Sequence, residues 1–174
     1  MKEERMESGA SKGKEAGGGV RIRAAEASDE ERIIRVVNEA FAVEEFIDGT
    51  RTDKERLAEM MRKGEFFVAE DEAGRIGASI YAEVRGERAY FGMLAVDPLQ
   101  QGKGLGKKMI EFAEEHCRSR GCAWMDISVL TLRPELRPFY EKLGYRETRR
   151  EEFFPSRPLK KGFECRSIVM TKAL

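Results

Sequence analysis

Gly102, Gly104 and Gly106 fall at alternate positions between an apolar run that ends at Val96 and a long stretch of helical periodicity, with Lys103, Lys107 and Lys108 interleaved. Glycine lets a backbone approach a ligand closely with its N–H groups turned outward. A helix N-terminus adds positive partial charge. That chemistry suits a phosphate or pyrophosphate. Two familiar anion loops do not fit. A P-loop requires G-x-x-x-x-G-K-[ST], and Gly106-Lys107 is followed by Lys108, which has no hydroxyl for magnesium. A dinucleotide fingerprint requires G-x-G-x-x-G, and counting from Gly102 the third glycine is replaced by Lys107. On the loop alone, a turn that enters a helix and binds nothing stays open.

Composition narrows the rest. Among 174 residues there is one histidine, so neither a Ser–His triad nor a multi-histidine metal site is expected, and no metal is. His116 sits among Glu114, Glu115 and Arg118 and reads as exposed helix polarity. The three cysteines, Cys117, Cys122 and Cys165, are odd in number and form no C-x-x-C, which points to reduced thiols and a cytoplasmic location. Basic and acidic residues each number 32, so a broad nucleic-acid or membrane-surface role is not expected. No apolar run approaches the roughly 20 residues of a membrane span, and the charged N-terminus lacks the apolar core of a secretory signal.

The elements that must position the glycine loop follow from periodicity. Residues 1–19 are rich in Lys, Glu, Ser and Gly and read as a disordered tail. Val20 to Ala24 alternates as a strand. Ser28 begins a capped helix carrying Ile33, Ile34, Val37, Ala40 and Phe41, and Ala42 to Thr50 is a loop. Thr52 and Glu55 form a capping box for a second helix with Leu57, Met60 and Met61 on its apolar face. Strands follow at 65–71, 76–84 and 88–96, joined by short turns as an antiparallel meander. The helix from Gly104 to Arg120 puts Leu105, Met109, Phe112, Ala113 and Cys117 on one face, and Gly121 ends it. A strand at 123–130 is reached by a crossover, so it lies parallel to the one before the loop. A short helix over 134–143, stopped by Gly144, precedes strands at 145–153 and 163–171. The order is β-α-α-β-β-β-α-β-α-β-β, an α+β class with a mixed, mostly antiparallel sheet of about seven strands and about four helices, split near one parallel pair.

Gln101-Gly102-Lys103-Gly104-Leu105-Gly106 matches Q/R-x-x-G-x-G/A and resembles the acetyl-CoA pyrophosphate loop of the GNAT acyltransferase superfamily. Phe139-Tyr140-Glu141-Lys142-Leu143-Gly144-Tyr145 resembles that superfamily's other hallmark, and the element order is similar to its fold. The resemblance covers residues 20–174, taken as one GNAT N-acetyltransferase domain. It implies acetyl-CoA as co-substrate and transfer to a primary amine by direct attack, the amine belonging to a small molecule or a protein. It implies that Leu94, Ala95 and Val96 pair with the pantetheine arm like an added strand, with the Leu94 N–H or a neighbour polarising the thioester carbonyl. Gln101, Gly102, Lys103, Gly104, Leu105, Gly106 and Lys107 would hold the pyrophosphate. Tyr140 would protonate the departing thiolate, for which a phenol of pKa near 10 is suited.

Two residues depart from the family pattern. Arg133 stands where many relatives carry an Asn bonded to the pantetheine arm, and could reach a CoA phosphate instead. Pro138 removes a donor inside the short helix, which is expected to be irregular. Asp126, Glu83 and Tyr90 are candidate bases or water-holders. The segments 43–47 and 153–161 would flank the acceptor cleft, where Glu44 and Glu45 could attract a cationic amine. An acyl-CoA-binding sensor without catalysis is the alternative, and a homodimer stays open.

Overall fold

The computed structural model describes residues 14–16, 19–155 and 157–174. In chain order the elements are β1 (Lys14–Ala16), β2 (Val20–Ala24), α1 (Glu30–Ala40), α2 (Lys54–Met61), β3 (Glu65–Glu70), β4 (Ile76–Arg85), β5 (Arg88–Val96), α3 (Leu105–Ser119), β6 (Trp124–Leu130), α4 (Leu136–Lys142), β7 (Arg146–Glu152) and β8 (Arg166–Ala173). The seven expected strands are present, and β1 adds a short eighth, antiparallel to β2. β1 lies within the stretch read as a disordered tail; residues 1–13 and 17–18 of that stretch lie outside the described residues. One sheet runs β1-β2-β3-β4-β5-β6-β8-β7, and only β5–β6 is parallel.

The sheet buries both faces. Ile33, Val36 and Val37 of α1 and Leu57 of α2 pack on one, against Phe66, Val68, Ile76, Tyr81, Met93 and Ala95. Met109, Ile110, Ala113 and Cys117 of α3, with Tyr140 of α4, pack on the other, against Phe67, Ala78, Ile80, Phe91, Met125 and Ile127. A third cluster joins Phe46, Ile47 and Leu130 to Leu132, Phe153 and Leu159. It ties the α1–α2 loop to the β7–β8 link, and Ile47 bridges Leu159 through the backbone.

One irregularity in β5 shapes everything around it. Ser79 pairs with Ala95 but Tyr81 pairs with Gly92, so β5 carries one extra residue. Met93 absorbs it at φ 50°, a left-handed conformation that costs an L-residue about 1–2 kcal/mol. The bulge inverts the alternation of side chains. Before it, Ala89 and Phe91 face α3; after it, Leu94 and Val96 do, while Met93 and Ala95 face α1. β5 therefore bends, and its ladder with β6 lasts only from Arg88↔Trp124 to Tyr90↔Asp126. Arg88 clamps that closed end, donating to both oxygens of Asp126 at 2.6 and 2.7 Å, and Thr171 donates to Asp126 at 2.6 Å.

Helix ends differ from expectation in instructive ways. Ser28 does not cap α1. A 3-10 turn over Ala27–Asp29 precedes it, and Asp29, fully buried, accepts from Arg23, Arg32 and the Glu26 N–H. Thr52 does not cap α2. Its backbone is held by Asn38, and Asp53 accepts from the Arg56 N–H instead. His116 is mostly covered rather than fully exposed, set edge-on to Phe67 and 2.8 Å from Glu65. Pro138 falls in the first turn of α4, where a backbone N–H has no intrahelical partner to lose. The last strand starts at Arg166, three residues later than its apolar content suggests.

The link between α4 and β7 is fixed by a buried polar group. Tyr145 donates to Glu114 of α3 at 2.7 Å, and Lys172 of β8 reaches both Glu114 oxygens at 3.0 and 2.9 Å. Glu114→Ala would leave Lys172 and the Tyr145 hydroxyl without their partner. Losing one side of a buried ion pair costs about 3–5 kcal/mol. A thermal melt should show a drop of many degrees, whereas Lys107→Ala, in an exposed pair with Glu111, should leave Tm nearly unchanged.

Candidate active site

Where β5 and β6 part, a cavity of about 700 Å³ opens between them, well within the size range of small-molecule sites. Its wall follows β5 from Tyr90 to Leu94 and Val96, continues through Gln100, Gln101, Gly102 and Gly104 to Lys107, and returns along Ile127–Leu130 of β6. Tyr140 and Phe139 of α4, Arg133, and Phe153–Pro155 close one side; Ala40, Phe41, Glu44, Arg51 and Arg56 close the far end. The edge of β5 beyond Tyr90 has no ladder to β6, so its alternate backbone groups face the gap.

The glycine loop is shaped by two residues in the left-handed region. Gly102 has φ 80° and Gly104 has φ 77°, and a Cβ on either would meet nothing within 4 Å. The space beside them is open, as an approaching ligand requires. Gly104 is the N-cap of α3, so the N–H groups of Leu105, Gly106 and Lys107 have no intrahelical acceptor. Pro98–Gln100 forms a 3-10 turn held by Asp97, and the Gln101 amide donates to the Val96 carbonyl at 3.1 Å. Most of the residues expected to bind acetyl-CoA line this wall. Two do not: Ala95, expected along the pantetheine arm, has its side chain buried against α1 on the opposite face, and the Lys103 side chain, expected at the pyrophosphate, turns toward Gln100.

Tyr140 is 7% exposed and rests against Phe91, Phe139 and Tyr145. No group among the described residues hydrogen-bonds its hydroxyl. Burial pushes its phenol well above the ordinary value, the neighbouring Tyr90 adds to the rise, and Arg133 works against it. Tyr90 is raised by burial too, with Arg51 and Arg85 opposing. Its hydroxyl lies across Gly92, where a Cβ would come within 2.6 Å of it.

The carboxylates sort differently from expectation. Asp126 is off the cavity wall, in the clamp with Arg88. Burial opposes its ionisation, but the hydrogen bonds from Arg88 and Thr171 hold its carboxyl below the usual range. Glu83 is also off the wall; Arg85 at 2.7 Å keeps its pKa low, and Tyr81 donates to it at 2.8 Å. Glu45 is exposed and is not on this wall. Glu44 is the one acid on the wall among the described residues. It accepts from Arg133 at 3.1 Å through Oε1, while its Oε2 is buried without a partner. Burial raises its pKa, against the pull of Arg51 and Arg133. Arg133, which could reach a CoA phosphate or touch no part of CoA, lines the wall and pairs with Glu44 and Glu135. Arg51 and Arg56 went unrecognised in the sequence. Arg56 lies four residues before Met60, on the edge of the face that α2 buries, and a cation there needs an acceptor. Among the described residues no three His, Cys, Asp or Glu gather as a metal site, and no helix is long and apolar enough to cross a membrane.

Residues 62–147 match a family described as Acetyltransferase (GNAT) domain. A glucosamine 6-phosphate N-acetyltransferase of Arabidopsis thaliana is 34% identical over 114 residues, which span 56% of this chain and 73% of that protein. Among solved structures, a ribosomal-protein alanine N-acetyltransferase of Escherichia coli superposes with a TM-score of 0.71 at 20% identity, covering 88% of this chain and 93% of its own. A GNAT superfamily phosphinothricin acetyltransferase of Sinorhizobium meliloti, in complex with acetyl-CoA, gives 0.70 at 19% identity, covering 90% and 89%.

Proposed function

This chain belongs to the GNAT acetyltransferase family, and from that premise we propose that it moves the acetyl group of acetyl-CoA to a primary amine by direct attack in the gap between β5 and β6. The catalytic unit spans residues 20–174. The observation that carries the reading is Tyr140, which lines the cavity, its hydroxyl unclaimed by any described residue and its phenol buried enough to keep its proton.

The donor enters from the α3 side. The pyrophosphate meets the N–H groups of the loop and first turn of α3, with Lys107 beside it. The pantetheine arm lies along the free edge of β5 and takes backbone hydrogen bonds as an added strand would. At Leu94, next to the bulge, an N–H turned into the gap polarises the thioester carbonyl. The acceptor enters from the α1–α2 side. Its neutral nitrogen attacks the carbonyl carbon; the C–N bond forms, the C–S bond breaks, and the sulfur takes its proton from Tyr140. The acceptor nitrogen sheds a proton to Glu44, whose pKa burial raises and whose Oε2 has no partner among the described residues. Membership of an enzyme family and the presence of this acid count against a sensor without catalysis. The three free thiols, two of them buried, fit a reducing cytoplasm.

Tyr140→Phe tests the assignment. It keeps the ring and deletes only the acid, so single-turnover thiol release should slow by roughly 10²–10⁴-fold while acetyl-CoA affinity holds. A wild-type chemical step would remove Tyr140 from the mechanism. Because burial lifts the Tyr140 pKa above its ordinary value near 10, the phenol stays protonated across the working range. The rate should rise with pH as the acceptor ammonium and Glu44 lose their protons, with no falling limb by pH 10.

The loop can be tested separately. Acetyl-CoA should stabilise the wild type by mass action. Gly104→Val places a side chain in the space beside the loop and should abolish most of that stabilisation. Gly86→Val is the control: Gly86, in the β4–β5 turn, has a similar φ of 67° and equally open surroundings, so it carries the same backbone strain. It should melt lower without ligand yet keep the full shift with acetyl-CoA.

A further inference from the structure

Arg51 and Arg56 are cations on the cavity wall with no ion pair and no side-chain hydrogen bond among the described residues. The Nε atom of each is fully buried and unpartnered. Arg51 stacks over the Phe41 ring at 5.0 Å, which holds the guanidinium plane without satisfying any of its donors. Burial pulls the Arg51 pKa down, and Arg56 and Arg133 push the same way. Glu44 and, more weakly, Tyr90 oppose them, and one of the Glu44 oxygens is taken by Arg133. On this wall Arg51, Arg56 and Arg133 stand with one carboxylate, Glu44; Arg133 is also paired with Glu135, and Arg56 borders Asp53, Glu55 and Glu59 on its outer side, so Arg51 is the cation with no carboxylate of its own. Buried donors without acceptors are rare in folded proteins because leaving them unmade costs free energy. A guanidinium fork fits carboxylate and phosphate oxygens two at a time.

These arginines are far from the glycine loop. Arg51 interacts with Tyr90, near the start of β5, and Val96 lies six positions further along the strand; an extended chain would span about 20 Å over that distance, somewhat less with the bulge at Met93. The anion they await is therefore not the pyrophosphate of the donor. We propose that Arg51 and Arg56 bind an oxyanion, a carboxylate or a phosphate, carried by the acceptor amine itself. The inference rests on the acetyl-transfer reading and names the class of its substrate. It also gives the excess positive charge a second role: a cationic surrounding lowers an ammonium's pKa and so favours the neutral, nucleophilic amine. Polyamines, with further positive charges, would be repelled.

The test uses the full chain saturated with CoA, so that the loop is filled and free anions can bind only elsewhere. Inorganic phosphate and acetate are titrated separately by calorimetry at constant ionic strength. One of them should bind, and which one tells a phosphate-bearing acceptor from a carboxylate-bearing one. Arg51→Gln should weaken that binding at least tenfold with CoA affinity unchanged; Arg56→Gln serves if the first variant does not fold. In the transfer assay, phosphoethanolamine against ethanolamine, and an amino acid against its amide, should differ at least tenfold in kcat/KM in favour of the anionic member. Binding of neither anion, or equal binding by the variants, overturns the inference. Transfer to uncharged amines as fast as to charged ones overturns it too while leaving acetyl transfer standing. Failure to bind CoA at all would bring down the transfer reading, and this inference with it.

Discussion

β5 and β6 share three residue pairs and then part. A sheet normally extends its ladders because each unpaired backbone group is costly. Here the ladder is stopped by the extra residue at Met93, which bends β5 away and leaves its edge facing a cavity. The strain at Met93 is tolerable because Met93 and Ala95 are buried under α1 on one face while Phe91, Leu94 and Val96 pack toward α3 on the other. The Arg88–Asp126–Thr171 clamp keeps the narrow end shut. The opening is thus a wedge, closed at Tyr90 and widening toward the glycine loop.

The wedge joins the two faces of the sheet. A donor held at the N-terminus of α3 and an acceptor held by the α1–α2 loop can meet only where the sheet is split. The polarity of the two ends fits this division. The proposed donor end offers backbone N–H groups and Lys107. The acceptor end offers guanidiniums and one raised carboxylate. Tyr140 stands between them, against Phe91 and near Tyr90 and Arg133. Its position is set from outside the cleft, through Tyr145, Glu114 and Lys172.

Much of this was legible in the sequence because it rests on local chemistry. Apolar runs and Gly turns place β4, β5 and the start of α3 to within a residue, and the spacing of Gly102, Gly104 and Gly106 marks the loop. What stayed hidden depends on tertiary partners. No residue type announces a left-handed methionine, so the bulge is invisible even though the split depends on it. Thr52 and Ser28 look like caps, but Asn38 and Arg23 bring competing hydrogen bonds from elsewhere in the chain. Asp126 and Glu83 look like free carboxylates until the fold sets Arg88 and Arg85 beside them. Arg51 and Arg56, in a polar stretch, look like surface cations; only the folded wall shows their Nε atoms buried with no partner among the described residues.

The central claim is that the free edge of β5 and the first turn of α3 together bind the acyl donor through backbone N–H groups. Amide hydrogen exchange with and without acetyl-CoA reads those groups directly. The account predicts strong slowing at Leu94 and at Leu105, Gly106 and Lys107, with little change in the distant β2–β3 ladder. Unchanged exchange at Leu94 and in the first turn of α3, under saturating acetyl-CoA, would contradict it.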